Sequence, residues 1–410
     1  MVLILLNRKV RGDFGEDESS GINTLRRERE KEGMMSSRIV DLKQAARLPA
    51  WCVCIVFLLS VSFLSNQKAS AWELFSEGML TPETISPVPS GAYGGAYDGS
   101  YFVPDPGRSS GNPAGSTIWI VDGSGSATTF APTTQDLNTT TVGGIFLPND
   151  PDWDNFAGKY LTVGWEGPAN GDHTARINVY NADGTYTTLW STNGGTPKTP
   201  AIAPAGWGTY GGQLIVADGG PDVYAIDSSG VQTFIVATPV DPITERFGLA
   251  FAPSGWGSVG GDLLTSRVTD GTIFAVDSSG NEMVFTTIGL DPGTRGLRQM
   301  AFSPDGFIPG YGVLLFISVS GSSYGGGTLG DVLAVNSAGN VVASLRTDLG
   351  LDKFDPRGLY FTGDGRLLIS DASDPIYIAE PSDFQAVPEP STILLVAAGL
   401  MGVGLLRRKT

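Results

Sequence analysis

Short apolar runs recur along most of this chain, and each is bounded by glycine, proline, aspartate or asparagine. Val223–Ile226 and Val231–Val236 are typical, and Asp-Ser-Ser-Gly separates them. Such runs predict β-strands, and the four-residue linker predicts a hairpin in which the aspartate accepts backbone hydrogen bonds and the glycine supplies a positive φ. Residues 72–386 show no helical periodicity, so the pattern predicts an all-β domain.

The hairpin is part of a longer internal repeat. "GGQLIVADGGPDVYAIDSSGVQTFIV" aligns without a gap with "GGDLLTSRVTDGTIFAVDSSGNEMVF", and four looser copies surround this pair. The turn that marks five of the copies occurs at Asp122–Gly125, Asn181–Gly184, Asp227–Gly230, Asp277–Gly280 and Asn336–Gly339. The sixth copy has Glu380 at this position. Four strands at a spacing of about 45–50 residues predict a six-bladed β-propeller, with five or seven blades as alternatives.

The start of the exported part is expected to complete the ring. "WELFSEGML", from Trp72 onward, has the pattern of a strand that pairs into the last blade and removes an exposed sheet edge. The repeat resembles the broad class of NHL and SMP-30-like propellers. It lacks their class-specific motifs, so this resemblance implies the architecture alone.

An export signal precedes the propeller. Trp51–Leu64 is apolar, basic residues come before it, and Ala69 and Ala71 satisfy the small-residue rule for cleavage. We therefore expect a signal peptide with an apolar helix over residues 34–71, and a retained N-terminal anchor is the alternative. Residues 1–33 do not suit a signal peptide. We interpret them as lying upstream of the true start, with a cytoplasmic extension as the alternative.

The C-terminal tail, residues 387–410, has three parts in a specific order. Residues 393–406 are apolar but shorter than the roughly 20 residues that span a bilayer. The polar parts that flank this run are Val387, Pro388, Glu389 and Pro390 before it, and Arg407, Arg408 and Lys409 after it. Prolines prevent a helix from starting earlier, and basic residues favour the cytoplasmic side.

This tail resembles a PEP-CTERM sorting signal. The resemblance implies a Gram-negative bacterium, an exosortase at the inner membrane as the processing partner, and a connection to exopolysaccharide or biofilm. We therefore expect the protein to be exported and held transiently at the membrane by a short C-terminal hydrophobic helix. It would then reach the cell surface or the extracellular space. A tail that stays in place as a transmembrane anchor is the alternative.

Composition narrows the chemistry of the exported part. Both cysteines, Cys52 and Cys54, lie in the predicted signal, so the propeller has no disulfide, no cysteine metal ligand and no cysteine nucleophile. Between the two signals there are 12 basic and 33 acidic residues, a net charge of −21. Such a charge argues against nucleic acid and anionic membranes as partners.

The channel mouth is the candidate site. In a propeller the innermost strands line the channel, and one face collects the loops that lead into them and the loops that follow the second strands. The residues that this rule places at the mouth are Asp105, Trp165, Asp218, Arg246, Arg295, Arg357 and Asp371. They could pair across blades to hold the ring, bind a polar ligand such as a sugar or an anion, or bind Ca²⁺ through oxygen atoms.

Catalysis has weak support in the sequence. The chain has one histidine, His173 in the loop-like "NGDHTAR", and no G-x-S-x-G motif, so a Ser–His–Asp triad is unsupported. We predict a non-enzymatic binding platform without a cofactor, linked to exopolysaccharide. The alternative is a calcium-dependent propeller hydrolase, either lactonase-like or polysaccharide-cleaving. The ligand and the oligomeric state stay open.

Overall fold

The protein is described here by a computed structural model. The residues that it describes are 73–106, 108–109, 112–113, 116–132, 139–166, 174–236, 245–268, 270–290, 296–321, 330–345, 354–372 and 375–387. The two predicted signal segments, His173 and Arg295 therefore lie outside the described residues.

The described residues form short strands joined by tight turns. In chain order the strands are β1 (Glu73–Ser76), β2 (Ser86–Pro87), β3 (Tyr101–Asp105), β4 (Arg108–Ser109), β5 (Asn112–Pro113), β6 (Thr117–Val121), β7 (Ala127–Pro132), β8 (Thr139–Phe146), β9 (Tyr160–Glu166), β10 (Thr174–Tyr180), β11 (Tyr186–Asn193), β12 (Pro200–Ile202), β13 (Leu214–Ala217), β14 (Val223–Ile226), β15 (Gln232–Val236), β16 (Arg246–Phe251), β17 (Leu263–Arg267), β18 (Thr272–Val276), β19 (Glu282–Thr287), β20 (Gly296–Phe302), β21 (Leu315–Ser320), β22 (Asp331–Val335), β23 (Val341–Leu345), β24 (Pro356–Phe361), β25 (Leu367–Asp371), β26 (Ile376–Ala379) and β27 (Phe384–Ala386). Short 3-10 helices span Ala92–Gly95, Pro151–Phe156, Gly208–Tyr210, Gly257–Val259 and Pro381–Asp383.

Six antiparallel sheets form the blades of a propeller, as the repeat predicts. From the inner strand outward, blades 1 to 6 are β2-β3-β6-β7, β8-β9-β10-β11, β12-β13-β14-β15, β16-β17-β18-β19, β20-β21-β22-β23-β27 and β24-β25-β26-β1. Strands β4 and β5 form a small hairpin within blade 1. The fold class is therefore confirmed as an all-β six-bladed propeller.

Strand β1 closes the ring. It pairs antiparallel with β26, with Leu74 opposite Tyr377, and is the outer strand of blade 6. The first strand of the exported part thus joins the last blade, which confirms the prediction for "WELFSEGML". Closure pairs the chain's two distant ends and covers an edge that would otherwise be exposed.

Strand β27 is a fifth strand on blade 5, which the repeat does not predict. It pairs antiparallel with β23, with Ala386 opposite Ala343. The N–H of Val387 extends the pairing by donating to the carbonyl of Val342 at 2.9 Å. The chain therefore passes from blade 6 back to the rim of blade 5 before the tail begins.

The hydrophobic core is divided among the six interfaces between blades. Successive side chains of a strand point to opposite faces of its sheet. In β13, Leu214 and Val216 pack with blade 2, whereas Ile215 and Ala217 pack with blade 4. Because both faces are buried, strands such as "LIVA" are continuously apolar rather than alternating.

The propeller has two distinct faces. The mouth face carries the loops between blades and the loops from second to third strands, whereas the turn face carries the remaining turns. On the turn face, Asp227 accepts hydrogen bonds from the N–H groups of Ser229 and Val231, both at 2.9 Å. Gly230 has φ 80°, as the hairpin prediction requires.

Both ends of the described chain lie on the turn face. Strand β26 runs from the mouth face to the turn face, so its antiparallel partner β1 begins on the turn face at Glu73. By the same reasoning β27 runs toward the turn face, and Val387 leaves beside the start of β23. The strands that lead to the two predicted signals therefore belong to the neighbouring blades 5 and 6.

Candidate functional site at the channel mouth

Each inner strand places one equivalent residue near the mouth face. In every blade the last residue of the inner strand pairs with the first residue of the second strand, as Phe251 pairs with Leu263. Counting four residues back from that last residue gives the same position in each blade. In blades 1 to 6 these residues are Glu83, Val142, Lys198, Phe247, Arg298 and Arg357, which we call the charge ring. Four of the six are ionisable, so the channel is strongly polar at this level.

Buried serines fix the backbone of the charge ring. The hydroxyl of Ser266 in blade 4 donates to the carbonyl of Arg298 in blade 5 at 3.1 Å and accepts from the N–H of Gly248 at 2.8 Å. In the same way, the hydroxyl of Ser318 donates to the carbonyl of Arg357 at 2.9 Å, and the hydroxyl of Ser370 donates to the carbonyl of Glu83. Each hydroxyl links the inner strand of the next blade to its own blade, which holds the ring residues at a common height.

Glycine at one inner-strand position allows this close approach. A Cβ on Gly248 would overlap the carbonyl oxygen of Arg298, and a Cβ on Gly358 would overlap the carbonyl oxygen of Glu83. Gly143 stands in the same relation to the carbonyl of Lys198. The inner strands of alternate blades therefore require glycine because the neighbouring backbone occupies the space of a side chain.

Two ring cations are paired at the mouth. Lys198 Nζ lies 2.9 Å from Glu245 Oε1, across the interface between blades 3 and 4, and also lies 4.8 Å from the centre of the Trp165 ring. Arg357 Nη2 lies 2.7 Å from Asp355 Oδ2. The Arg357–Asp355 pair is largely shielded from water, whereas the Glu245 side chain is 33% exposed, so water screens the Lys198–Glu245 pair more strongly.

Arg298 is different from its neighbours. Its guanidinium lies 4.6 Å from the centre of the Phe247 ring, so it stacks on the next position of the charge ring. Its Nε is buried without a hydrogen-bond partner, and among the described residues no carboxylate forms an ion pair with it. The side chain as a whole is nevertheless partly exposed.

The surroundings of Arg298 oppose its charge. Burial lowers the pKa of the Arg298 guanidinium below its usual value, and the positive charge of Arg357 adds to the lowering. The carboxylates of Glu245, Glu83 and Asp355 act in the opposite direction but do not outweigh burial. A partly buried cation without a paired anion costs free energy.

The three predicted aspartates take equivalent positions at the ends of second strands, as the alignment indicates, but they bind nearby backbone. Asp105 is 2% exposed and accepts from the N–H groups of Leu80 and Thr81 at 2.7 and 3.0 Å. Asp218 accepts from the N–H of Thr196 at 2.8 Å. Asp371 is fully buried and accepts from the N–H of Asp355 at 3.1 Å. Each carboxylate thus fixes a mouth loop.

The other predicted mouth residues also contact groups within the protein. Trp165 is 5% exposed and lies beneath Lys198. Arg246 is 4% exposed, and its Nη1 lies 2.5 Å from Oε1 of Glu282 in the same blade. Its Nε donates to the carbonyl of Pro221 in blade 3. Arg357 belongs to the charge ring, and Arg295 lies outside the described residues. A ligand-binding role for this set stays a prediction.

Arg298 is not among the residues that the sequence predicts for the mouth. In "TRGLRQMAF" the prediction is Arg295, although Arg298 is the residue at the register of Arg357. Counting four residues back from Phe302 and Phe361 finds both arginines. The repeat marker "FSPDG" therefore held the necessary signal. Within the described residues no three histidine, cysteine or carboxylate side chains cluster as a metal site would require.

The tail matches a known protein-sorting motif. The match covers residues 386–409, and its description is "PEP-CTERM protein-sorting motif". The chain therefore carries a PEP-CTERM sorting motif in its tail. The motif implies export, transient anchoring at the membrane and processing by an exosortase. No helix among the described residues is long and apolar enough to cross a membrane, and residues 393–406 are outside them.

The propeller is similar to solved structures. A calcium-binding protein, regucalcin, from Agrobacterium tumefaciens is 13% identical with a TM-score of 0.50, and the match covers 78% of this chain and 96% of that chain. A gluconolactonase from Xanthomonas campestris is 14% identical with a TM-score of 0.49, covering 76% and 89%. At 13% identity, the likeness to regucalcin shows the fold alone. A search of the curated proteins found no match.

Proposed function

We propose that this exosortase-processed protein is a non-enzymatic platform that binds exopolysaccharide with its mouth face while its turn face is directed to the membrane. The observation that carries the proposal is the position of the chain ends. Both β1 and β27 connect to the targeting segments on the turn face, opposite the charge ring.

The connection to the tail is short. Residues 388–392 separate the end of the propeller from the apolar run and can span at most about 18 Å when extended. Such a link is too short for the propeller to turn over, because the chain would have to pass around the rim of blade 5. While anchored, the mouth face is therefore presented away from the membrane.

The charges of the two faces support this arrangement. Eight lysine and arginine side chains are described, and six of them lie on the mouth face: Arg176, Lys198, Arg246, Arg267, Arg298 and Arg357. Lys159 and Arg366 are on the turn face. Five of the six form ion pairs with carboxylates, so the mouth face offers charged groups of both signs to a polar polymer outside the membrane.

Single cysteines test the orientation, because the chain's own cysteines can both be replaced by serine without touching the propeller. Ala338→Cys lies in the exposed turn of blade 5 beside the exit of β27, and Glu77→Cys is exposed on the mouth face. In liposomes carrying the full chain, a bulky water-soluble maleimide should label Glu77→Cys fast and Ala338→Cys slowly. In detergent both should react alike. Equal rates in liposomes would overturn the proposed orientation.

Calorimetric titration of the full chain in mild detergent with the host's exopolysaccharide tests the binding. We expect saturable binding that needs no Ca²⁺ and leaves the polymer length unchanged. Shortening of the polymer in the presence of Ca²⁺ alone would instead favour the calcium-dependent hydrolase. Absence of binding with and without Ca²⁺ would contradict the platform.

A further inference from the structure

We propose that Arg298 is the ligand-binding residue of the charge ring and that it binds a single carboxylate, in the form of one uronic acid residue of a polysaccharide. This inference rests on the proposed function, since it names the ligand chemistry at the same mouth. Its basis is the contrast between Arg298 and the other ring cations.

Lys198 and Arg357 have their anions within the protein. Glu245 lies 2.9 Å from Lys198, and Asp355 lies 2.7 Å from Arg357. For Arg298, no described carboxylate comes within ion-pairing distance, and its buried Nε has no acceptor. A buried donor without a partner is destabilising. Because Lys198 and Arg357 each have a carboxylate partner and Arg298 has none among the described residues, Arg298 points to an anion that arrives from outside.

The surroundings of Arg298 restrict how that anion binds. Phe247 covers one face of the guanidinium at 4.6 Å, and Ser266 fixes the backbone through the Arg298 carbonyl at 3.1 Å. The side chain is thereby held in place with only part of it exposed. A stacked guanidinium offers the N–H groups of its edge, which match a planar carboxylate in a bidentate contact.

Desolvation strengthens the interaction. Water competes less for a guanidinium inside the channel than for one on the surface, so an ion pair formed there is worth more. Burial and Arg357 lower the pKa of Arg298, and a bound carboxylate would reverse that effect. The nearby carboxylates of Glu83, Glu245 and Asp355 act against an added anion and so limit the strength of this interaction.

The test compares binding of trigalacturonate to the full chain and to Arg298→Gln by calorimetry in mild detergent. We expect Arg298→Gln to weaken binding at least tenfold and Arg298→Lys to weaken it by less. Arg366→Gln, on the turn face, should bind as the parent does. A neutral galactose trisaccharide should bind none of them, and acetate should bind the parent far more weakly than trigalacturonate.

The melting temperature of a further variant separates a role in ligand binding from a role in folding. If Arg298 serves the ligand rather than the fold, Arg298→Met without ligand should melt at or above the melting temperature of the parent, because a partly buried charge that no described carboxylate pairs is removed. A lower melting temperature for Arg298→Met would assign it a structural role and overturn the inference. Equal affinity of Arg298→Gln for trigalacturonate would do so too. Acetate binding as tightly as trigalacturonate would mean a small-carboxylate site instead.

The outcomes also separate this inference from the proposed function. If the host's exopolysaccharide binds the parent and Arg298→Gln equally, the binding platform is supported and the ligand-binding role of Arg298 is overturned. If the polysaccharide binds neither while trigalacturonate binds the parent alone, the carboxylate site stands and the exopolysaccharide ligand falls.

Discussion

The turn face and the mouth face of the propeller use their charged side chains in different ways. On the turn face, an aspartate such as Asp227 completes its own four-residue turn, with acceptor and donors within four positions of each other. On the mouth face, Arg298 depends on Ser266 and Phe247 of another blade. On the turn face the hydrogen bonds are made within one turn. On the mouth face the contacts come from a neighbouring blade, and no carboxylate in the described part of the chain pairs with Arg298.

The largest expected effect follows from crowding at the mouth. Gly248→Ala would drive a Cβ into the carbonyl of Arg298 and force apart the inner strands of blades 4 and 5. We expect it to lower the free energy of unfolding by about 3 kcal/mol, measured by urea denaturation. Gly363→Ala on the turn face meets no heavy atom within 4 Å and should change stability by less than about 0.5 kcal/mol. An equal decrease in the free energy of unfolding for both variants would show that the inner strands at the mouth are no more crowded than the turn face.

The second effect concerns tyrosines buried between blades 1 and 2. Burial raises the pKa of Tyr180 to about 12 and that of Tyr93 to about 12. The folded state thus holds these protons longer than the unfolded state does. Their contribution is fully present below about pH 10 and is lost as the pH rises from 10 to 12, by roughly 2–3 kcal/mol for each tyrosine.

Urea denaturation between pH 8 and 11.5 measures this loss. Tyr180→Phe keeps the ring but removes the ionisable group, so its stability should fall less steeply over that pH range. A slope identical to that of the parent would show that burial of Tyr180 does not control the alkaline transition.

A smaller loss is expected at the serine that links blades 4 and 5. Ser266→Ala leaves the carbonyl of Arg298 and the N–H of Gly248 without their shared partner in a fully buried place. The expected cost is about 2 kcal/mol in thermal or urea unfolding. The matched control is Ser229→Ala in an exposed turn, which keeps the backbone bond to Asp227 and should be nearly neutral. Similar costs for both would mean that the link between blades adds nothing.

The smallest effect belongs to the turn aspartate. Asp227→Ala removes the acceptor of two backbone N–H groups and should cost about 1 kcal/mol. Asp227→Asn should cost almost nothing, since Asn336 makes the same contacts with Ala338 and Asn340 in blade 5. If the asparagine variant lost as much as the alanine variant, charge rather than hydrogen bonding would hold the turn.

The same distinction explains what could be predicted from the sequence. The strands, the Asp/Asn-x-x-Gly hairpins, six blades and closure by β1 follow from local patterns that repeat along the chain. The equivalence of Asp105, Asp218 and Asp371 was also predictable from alignment of the repeats. Their partners were not, because Leu80 and Thr196 lie in loops that the repeat does not describe.

The residues at the mouth could be predicted only in part, because the inner strands are irregular. A register shift in the inner strand precedes Leu249, Met300 and Leu359, so distances counted from the start of the strand mislead. Counting from its end identifies the charge ring. Strand β27 repeats no motif and is placed by the free edge of β23, which no local pattern reveals.

Hydrogen–deuterium exchange on the full chain, with and without the host's exopolysaccharide, tests the central claim that the mouth face is the binding surface. We predict slower exchange in β16, β20 and β24 near Phe247, Arg298 and Arg357, with no change in the turns at Asp227 and Asn336. Slower exchange confined to the turn face, or no change on either face despite binding, would mean that the mouth face is not the binding surface.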